Sequence, residues 1–384
     1  MQLIEVTTDA LAEEFLDLPD KLYKSDKNYI RPLDSDIRNV FDKKTNVYFN
    51  YGKAVRYLLK DDSGQYIGRI AAYYDEYSAM QDEIYSGAFG FFECINDQEA
   101  ANMLFNAAKK WLSTKGVLAI NGPVNFGDKT MWWGLMTEGD LPPTYAMNYN
   151  HLYYKDLFEN YGMKPYFNLA AYQIDTLVQL PEKYKEKAAQ LLSPEGGYRI
   201  EKLSREDPLD KLKDFLTIYN NAFGTKQKAK AADIEHGIRV FSPFYPFMDP
   251  ELIQFLYYKD EPVAFIGVLP DPNEYIRNNK KEISRTEYNY LIDNNISVSR
   301  KLIGIISAVV PEHRDKGLLT CFATELQEVF RRKKRWDHIE FRWVADYNPK
   351  MITVMENLNG KIVKKHTVYR IHFDNILPVE KLKL

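Results

Sequence analysis

Cysteine is scarce: Cys94 and Cys321 are the only two in 384 residues, which excludes a disulfide framework and any cysteine-based metal spacing. Six histidines (His151, His236, His313, His338, His366 and His372) are scattered, with no pair at metal-ligand spacing, so no metal is expected. No apolar run approaches the ~20 residues of a membrane span. Met1-Gln2-Leu3-Ile4-Glu5-Val6 lacks the charged-then-apolar order of a signal peptide. Neither sign of charge prevails: 51 basic residues against 54 acidic ones leave a net charge of −3, so there is no global basic field for nucleic acid. Neither nucleic acid nor membrane is an expected partner, and a cytoplasmic location is expected. The oligomeric state stays open.

What the chain does have is length and aromatic rings. Its length favours two or three domains. A 45% hydrophobic and 27% charged composition is ordinary for a globular protein. The 28 tyrosines suggest half-buried surfaces and large clefts, and a bias in composition would explain them equally well. The strongest charge cluster, Arg331-Arg332-Lys333-Lys334-Arg335, falls at the end of a predicted helix, where cations complement the dipole. Nucleic-acid or acidic-partner binding is the alternative reading. Gly224-Thr225-Lys226-Gln227-Lys228-Ala229-Lys230 is basic and reads as an exposed loop or as a surface facing an acidic substrate.

The most informative segment runs from Ile305 to Leu319. Ile305-Ile306-Ser307-Ala308-Val309-Val310 reads as a buried strand. Pro311-Glu312-His313-Arg314-Asp315-Lys316-Gly317 is a basic turn with one glycine, and an amphipathic helix follows. Successive amides at a helix N-terminus suit a phosphate or diphosphate, and a plain surface turn has the same pattern. Downstream, His338 to Val344 alternates as a strand. Asn348 precedes a helix from about Pro349 to Leu358. Gly360 is read as the left-handed residue after that helix. Lys361 to Val363 and Thr367 to Ile371 are predicted closing strands.

Arg314, Gly317 and this order of elements resemble the acyl-CoA signature of the GNAT superfamily of N-acyltransferases. The signature is Arg/Gln, two residues, Gly, one residue, then Gly or Ala, and Leu319 departs from it at the last position. The resemblance covers the last third of the chain best. It implies an acyl group, acetyl being the expected one, moved from acetyl-CoA or another acyl-CoA to an amine acceptor, small molecule or peptide. Val309 and Val310 would pair with pantetheine. Arg314, Asp315, Lys316, Gly317, Leu318 and Leu319 would hold the diphosphate. Asn348 would lie near the cofactor, or simply cap its helix. Many GNAT enzymes protonate the leaving thiolate with a Tyr where this chain has Met355. Tyr347 and Asp346 are the nearest polar candidates. A GNAT-fold binding or regulatory protein without transferase activity is the alternative that Leu319 and Met355 favour.

The two halves also resemble one another. Asn150, a helical stretch, Gly162 and Tyr172-Gln173-Ile174 parallel Asn348, its helix, Gly360 and Tyr369-Arg370-Ile371. Gln65 to Tyr73 parallels Glu261 to Val268, and Phe89 to Ile95 parallels Ile305 to Val310. The helix Glu99 to Leu112 parallels Leu318 to Phe330. The expected fold is α/β (α+β), two tandem GNAT-like domains at 1–180 and 198–384, each a mixed, mostly antiparallel sheet flanked by helices. Leu192 to Gly197 would link them. The first copy offers no glycine in its turn and places Asp97 and Glu99 there, so no CoA is expected in it. Such an arrangement is similar to N-myristoyltransferase-like and Fem-like transferases.

Between Asn121 and Asn150 lies a long irregular loop with four glycines and three prolines. It includes Asp128 and Lys129. Such loops are often binding loops, and Asn125, Trp132, Trp133, Tyr145 and Tyr149 are its candidate substrate-pocket residues. A lid folded over the first domain is the equal alternative. Its Gly-Pro-x-Asn-Phe stretch resembles a bacterial group of GNAT-like proteins, a likeness that implies the fold and no substrate.

Overall fold

Short runs rich in aromatic, β-branched and small apolar residues build β1 Gln2–Glu5, β2 Gly52–Lys60, β3 Tyr66–Asp75, β4 Ser86–Cys94, β5 Ala119–Gly122, β6 Leu135–Glu138 and β7 Lys164–Asp175. The second half adds β8 Tyr198–Lys202, β9 Ile253–Tyr258, β10 Glu261–Pro270, β11 Lys301–Val309, β12 His338–Ala345 and β13 Lys361–His372. The computed structural model describes residues 1–76, 84–127, 130–204, 211–224, 237–238, 248–277, 299–373 and 379–382. Asp128, Lys129, the basic run 225–230 and His236 lie outside the described residues.

Period-two alternation sorts the core onto two faces. Leu58, Ala71 and Tyr73 pack in one cluster with Phe15 and Leu16 of the helix Asp9–Leu22. Their neighbours Leu59, Ile70 and Ala72 pack in another with Leu104 and Ala108 of the helix Gln98–Ser113. Each helix starts on a side-chain cap. Thr8 accepts from the Leu11 amide at 3.3 Å, and Asp97 accepts from the Ala100 amide at 2.8 Å.

All the strands join one mixed sheet, in the order β1-β2-β3-β4-β5-β13-β7-β12-β11-β10-β9-β8, with β6 also on β13. The fold is thus α/β, two GNAT-like units fused through a continuous sheet flanked by helices. The units exchange their last strands. β7, from the first repeat, pairs with β12 of the second. β13, the last strand of the second, pairs with β5 and β6 of the first. A cut between 180 and 198 separates the repeats along the chain but not the halves of the sheet. Leu192–Gly197 is a bonded turn, in which the Gly197 amide donates to the Ser193 carbonyl at 3.1 Å.

Two local expectations differ from the structure. The predicted strands 361–363 and 367–371 are one bulged strand, β13. The left-handed residue after the helix Pro349–Asn357 is Asn359, φ 56°, while the Gly360 amide closes the turn on the Met355 carbonyl at 2.8 Å. Glycine is still required at 360, because a Cβ there would sit 2.9 Å from that carbonyl.

Candidate functional site

Parallel strands β11 and β12 are hydrogen-bonded only from Lys301–His338 to Gly304–Phe341. Beyond that point β11 stays with β10 as far as Val309, and β12 stays with β7 as far as Ala345. The two strands therefore part, opening a wedge. Both carry an extra residue where they part. Ile305 has no counterpart between Gly267 and Val268 of β10, and Arg342 with Trp343 face one residue of β7. Trp343 takes φ 57°, a conformation costly for an aromatic residue. Neighbouring residues on a strand send their amides to opposite edges. The Val310 amide goes to the Val263 carbonyl of β10 at 2.9 Å, so the Val309 amide faces the wedge.

The basic turn lies at the mouth of this wedge. Asp315 and Gly317 have φ 62° and 84°, and Leu318 returns to the helical region before the helix Leu319–Lys333. Among the described residues, the amides of Asp315, Lys316, Gly317 and Leu318 find no acceptor. That run of free amides at a helix start forms a cradle of the kind that suits an anion. Arg314 takes no part in it through its side chain. Its guanidinium turns inward, Nε to the Val309 carbonyl at 3.2 Å and Nη2 to the Ala222 carbonyl at 2.8 Å. Positive charge comes instead from Lys316 and from Lys187, whose stem lies 3.3 Å from where a Gly317 Cβ would stand. Lys187 belongs to the helix Glu182–Leu192, outside both repeats. An ion pair from Asp315 to Lys350, 2.6 Å, brings the start of the helix Pro349–Asn357 beside the cradle.

Asn348 accepts from the Met351 amide at 3.3 Å and so caps its own helix. Leu319 has an apolar setting. It joins Ser307, Phe322, Ala323, Phe341 and Met355 around a cavity of about 70 Å³ on the helix side of the wedge, almost wholly apolar. Asp346 and Tyr347 lie just past the end of β12. Asp346 accepts from Asn168 Nδ2 at 2.9 Å, and Tyr347 packs on Phe167, burial pushing its phenol up to about 12.

The first repeat has the same wedge. β4 and β5 pair only over Ser86–Ala88 and Ala119–Asn121, and β4 carries a bulge at Phe91, φ 50°. Here the chain fills the gap itself. β5 and β6 lie end to end along β13, and Pro123 to Gly134 is an excursion closed by the Gly134 amide on the Pro123 carbonyl, 2.8 Å. The Val124 amide donates to the Phe89 carbonyl at 2.9 Å, and a Cβ on Gly90 would strike the Val124 carbonyl at 2.2 Å.

The long loop is divided between the units. Trp132 packs on Phe91, 5.5 Å between rings, and with Tyr149 lines a cavity of the first unit. Asn125 lies in the excursion, near Gly127. Trp133 faces the other way, onto Trp343 and Phe167. Tyr145 is buried at the seam, its amide on Asp271 at 3.0 Å and its hydroxyl on Asp36 at 2.6 Å.

A buried polar cluster of the second half anchors this loop through its carbonyls, which would otherwise go unpaired. Arg342 binds Tyr145 O and Thr130 O, Asn273 binds Pro143 O, Lys364 binds Pro142 O, and His366 binds Asn148 O at 3.0 Å. Lys364 also pairs with Glu340 at 2.9 Å. Burial lowers His366 to about 4 and Arg342 to about 10, and raises Asp271 to about 6. Sequence reasoning missed this cluster. Its signal was charged residues set between apolar ones in strands, as in Ile339-Glu340-Phe341-Arg342-Trp343. Nothing in the sequence pointed to Lys187. At the helix end, Arg332 and Lys333 are paired with Glu251, and Lys333 also with Asp249. Among the described residues no group of three or more His, Cys, Asp or Glu could hold a metal, and no helix is long and apolar enough to cross a membrane.

The wedge, the cradle and the doubled unit define the fold as a tandem GNAT fold. A tandem GNAT protein from the clavulanic acid biosynthesis pathway superposes with a TM-score of 0.55 at 10% identity, over 97% of this chain and 98% of that one. Among curated proteins, the bacterial ceramide synthase of Caulobacter vibrioides is 24% identical over 375 residues, 96% of this chain and 97% of the relative. Protein YghO of Escherichia coli is 23% identical, over 92% and 91%. No protein-family model matches the chain.

Proposed function

We propose that the protein is an N-acyltransferase that moves an acyl group from acyl-CoA, held in the second wedge, to an amine. The observation that carries this reading is the cradle of unpartnered amides at the mouth of an open strand pair. The diphosphate would sit on the amides of Asp315 to Leu318, with Lys316 and Lys187 beside it. Pantetheine would run along β11 and accept from the Val309 amide. The amine attacks the thioester carbon, a C–N bond forms, the C–S bond breaks, and the thiolate leaves as CoA. The amine, on this reading, enters past Trp133 and Trp343, with Asp346 as the nearest base. Tyr347, with its phenol near 12, stays protonated at neutral pH and could donate to the thiolate.

A ceramide is an amide, so the relative named bacterial ceramide synthase supports N-acylation. The apolar cavity behind the wedge favours an acyl chain longer than acetyl. Met355, buried where a proton donor would stand, favours the alternative of a binding protein that keeps the fold without turnover.

Thermal shifts with CoA, acetyl-CoA and longer acyl-CoAs test the site. A ligand at 100 times its dissociation constant adds ~2.7 kcal/mol of stability. Gly317→Trp forces a large side chain into a left-handed position against Lys187, and should abolish the shift while far-UV circular dichroism stays unchanged. Undiminished CoA affinity in that variant would remove the site. Binding without amide formation across an amine panel would favour the non-catalytic reading.

A further inference from the structure

The apolar cavity on the helix side of the second wedge, about 70 Å³, runs along two helices. One wall reaches from Leu319 to Phe330 on the helix Leu319–Lys333, ~16 Å at the α-helical rise. The opposite wall reaches from Met351 to Leu358, along the helix Pro349–Asn357. Val178 and Leu180, on the way from β7 to the helix Glu182–Leu192, supply a third. The mouth is continuous with the cradle and the wedge. Leu319 directly follows the cradle, Met351 follows Lys350, which is paired with Asp315, and Ser307 stands two residues before Val309. Polar side chains at the far end are engaged elsewhere. Gln327 donates to the Val178 carbonyl, the Thr176 hydroxyl donates to the Trp336 carbonyl at 2.6 Å, and Asp175 accepts from the Leu177 amide at 2.7 Å. A ligand carrying amides or hydroxyls would exchange water there for no partner, whereas an alkyl chain has nothing to pair.

We propose, resting on the acyl-CoA reading of the second wedge, that this cavity takes a medium-chain fatty acyl group, octanoyl to dodecanoyl, from the CoA whose diphosphate sits in the cradle. An extended alkyl chain of that size stays within the ~16 Å lining. Pantetheine, with its two amides, is left on β11, where the Val309 amide faces it. The void is about half the ~150 Å³ that takes a benzene ring, so the chain must widen it. Met351 and Met355 line it, and unbranched thioethers adapt more readily than branched or aromatic side chains. Ala323 and Val354, on opposite walls, are half-buried, so bulk can be added at either.

The test is calorimetric titration of the full chain with CoA, acetyl-, octanoyl-, dodecanoyl- and hexadecanoyl-CoA below their micelle concentrations, and with sodium decanoate. Octanoyl-CoA should bind about a hundredfold tighter than acetyl-CoA, since each buried methylene adds up to about fourfold. Hexadecanoyl-CoA should bind no tighter than dodecanoyl-CoA. Ala323→Phe and Val354→Phe fill the cavity from opposite walls, so either one, if folded by circular dichroism, suffices. Each should remove about tenfold or more of the octanoyl gain and leave the affinity for CoA itself unchanged. Equal affinity for acetyl- and octanoyl-CoA, or a gain that both variants keep, would overturn the proposal and leave the cradle's reading standing. Further tightening at hexadecanoyl-CoA would overturn the chain length. Decanoate binding that the variants abolish, in a protein that binds no CoA, would overturn the acyl-CoA reading of the wedge and keep the cavity as a fatty-acid site.

Discussion

At the residue scale the seam between the halves holds groups whose proton affinity burial has moved. His366 is neutral when buried, its folded pKa near 4 lying below the ordinary 6.5. As pH falls from about 6.5 toward 4, the unfolded chain takes up a proton that the folded one refuses, so stability falls. The difference of roughly 2.5 units corresponds to ~3 kcal/mol. Asp271 works in the opposite sense. Its folded pKa near 6 exceeds 3.8, so over that interval the folded chain holds the extra proton and acidification stabilises. The two nearly cancel between pH 6.5 and 4, so His366→Gln, which can still donate to Asn148 O, should turn a nearly flat profile into one that rises on acidification. Urea midpoints across that range check it, and an unchanged slope would clear His366 of the role. The caps Asp97 and Asn348 were legible in the sequence because a cap is a local bond, three residues long. The inward turn of Arg314 was not, because its acceptor, the Ala222 carbonyl, lies 92 residues away.

At the scale of elements, the wedge depends on where two strands stop pairing, and glycine marks the point. A Cβ on Gly304 would stand 2.4 Å from Phe341 Cδ1, at the last bonded pair of β11 and β12. Gly304→Val should force Phe341 off its rotamer and cost about 1–3 kcal/mol, the usual range for overpacking. If the second wedge holds acyl-CoA, affinity should fall as well, since the strands then diverge from a different residue. Denaturant unfolding and CoA titration of the same variant separate the two effects. The strands and helices around this point were legible from periodicity, from β10 and β11 to the helix Pro349–Asn357. The bulge at Ile305 and the excursion from Pro123 to Gly134 were not. One extra residue leaves the hydrophobic pattern of a strand almost unaltered, and β5 and β6 are four residues each, too short to show a period.

Over the whole molecule, the exchange of β7 and β13 makes each half incomplete. The repeat itself was legible, because Tyr172-Gln173-Ile174 and Tyr369-Arg370-Ile371 follow equal Asn-to-Gly spacings. Which sheet each strand enters was not, since the two strands carry similar patterns and either could close either unit. The consequence is testable at the turn after Ser193. A chain ending there keeps β1 to β5 but leaves β7 without β12 or β13, and a chain beginning at Glu195 keeps β8 to β12 but leaves β13 without β7 or β5. Each fragment then has unpaired strand edges inside what was the middle of the sheet, a strong aggregation hazard. Expressed alone, both should be insoluble or lack cooperative unfolding. A full chain carrying a protease site between Pro194 and Glu195 should, once cut, still elute as one species and melt in a single transition, because the strand exchange ties the pieces together without the covalent link. Two separable, independently folded halves after cleavage would show that the shared sheet contributes little, and that each repeat can close on its own strand.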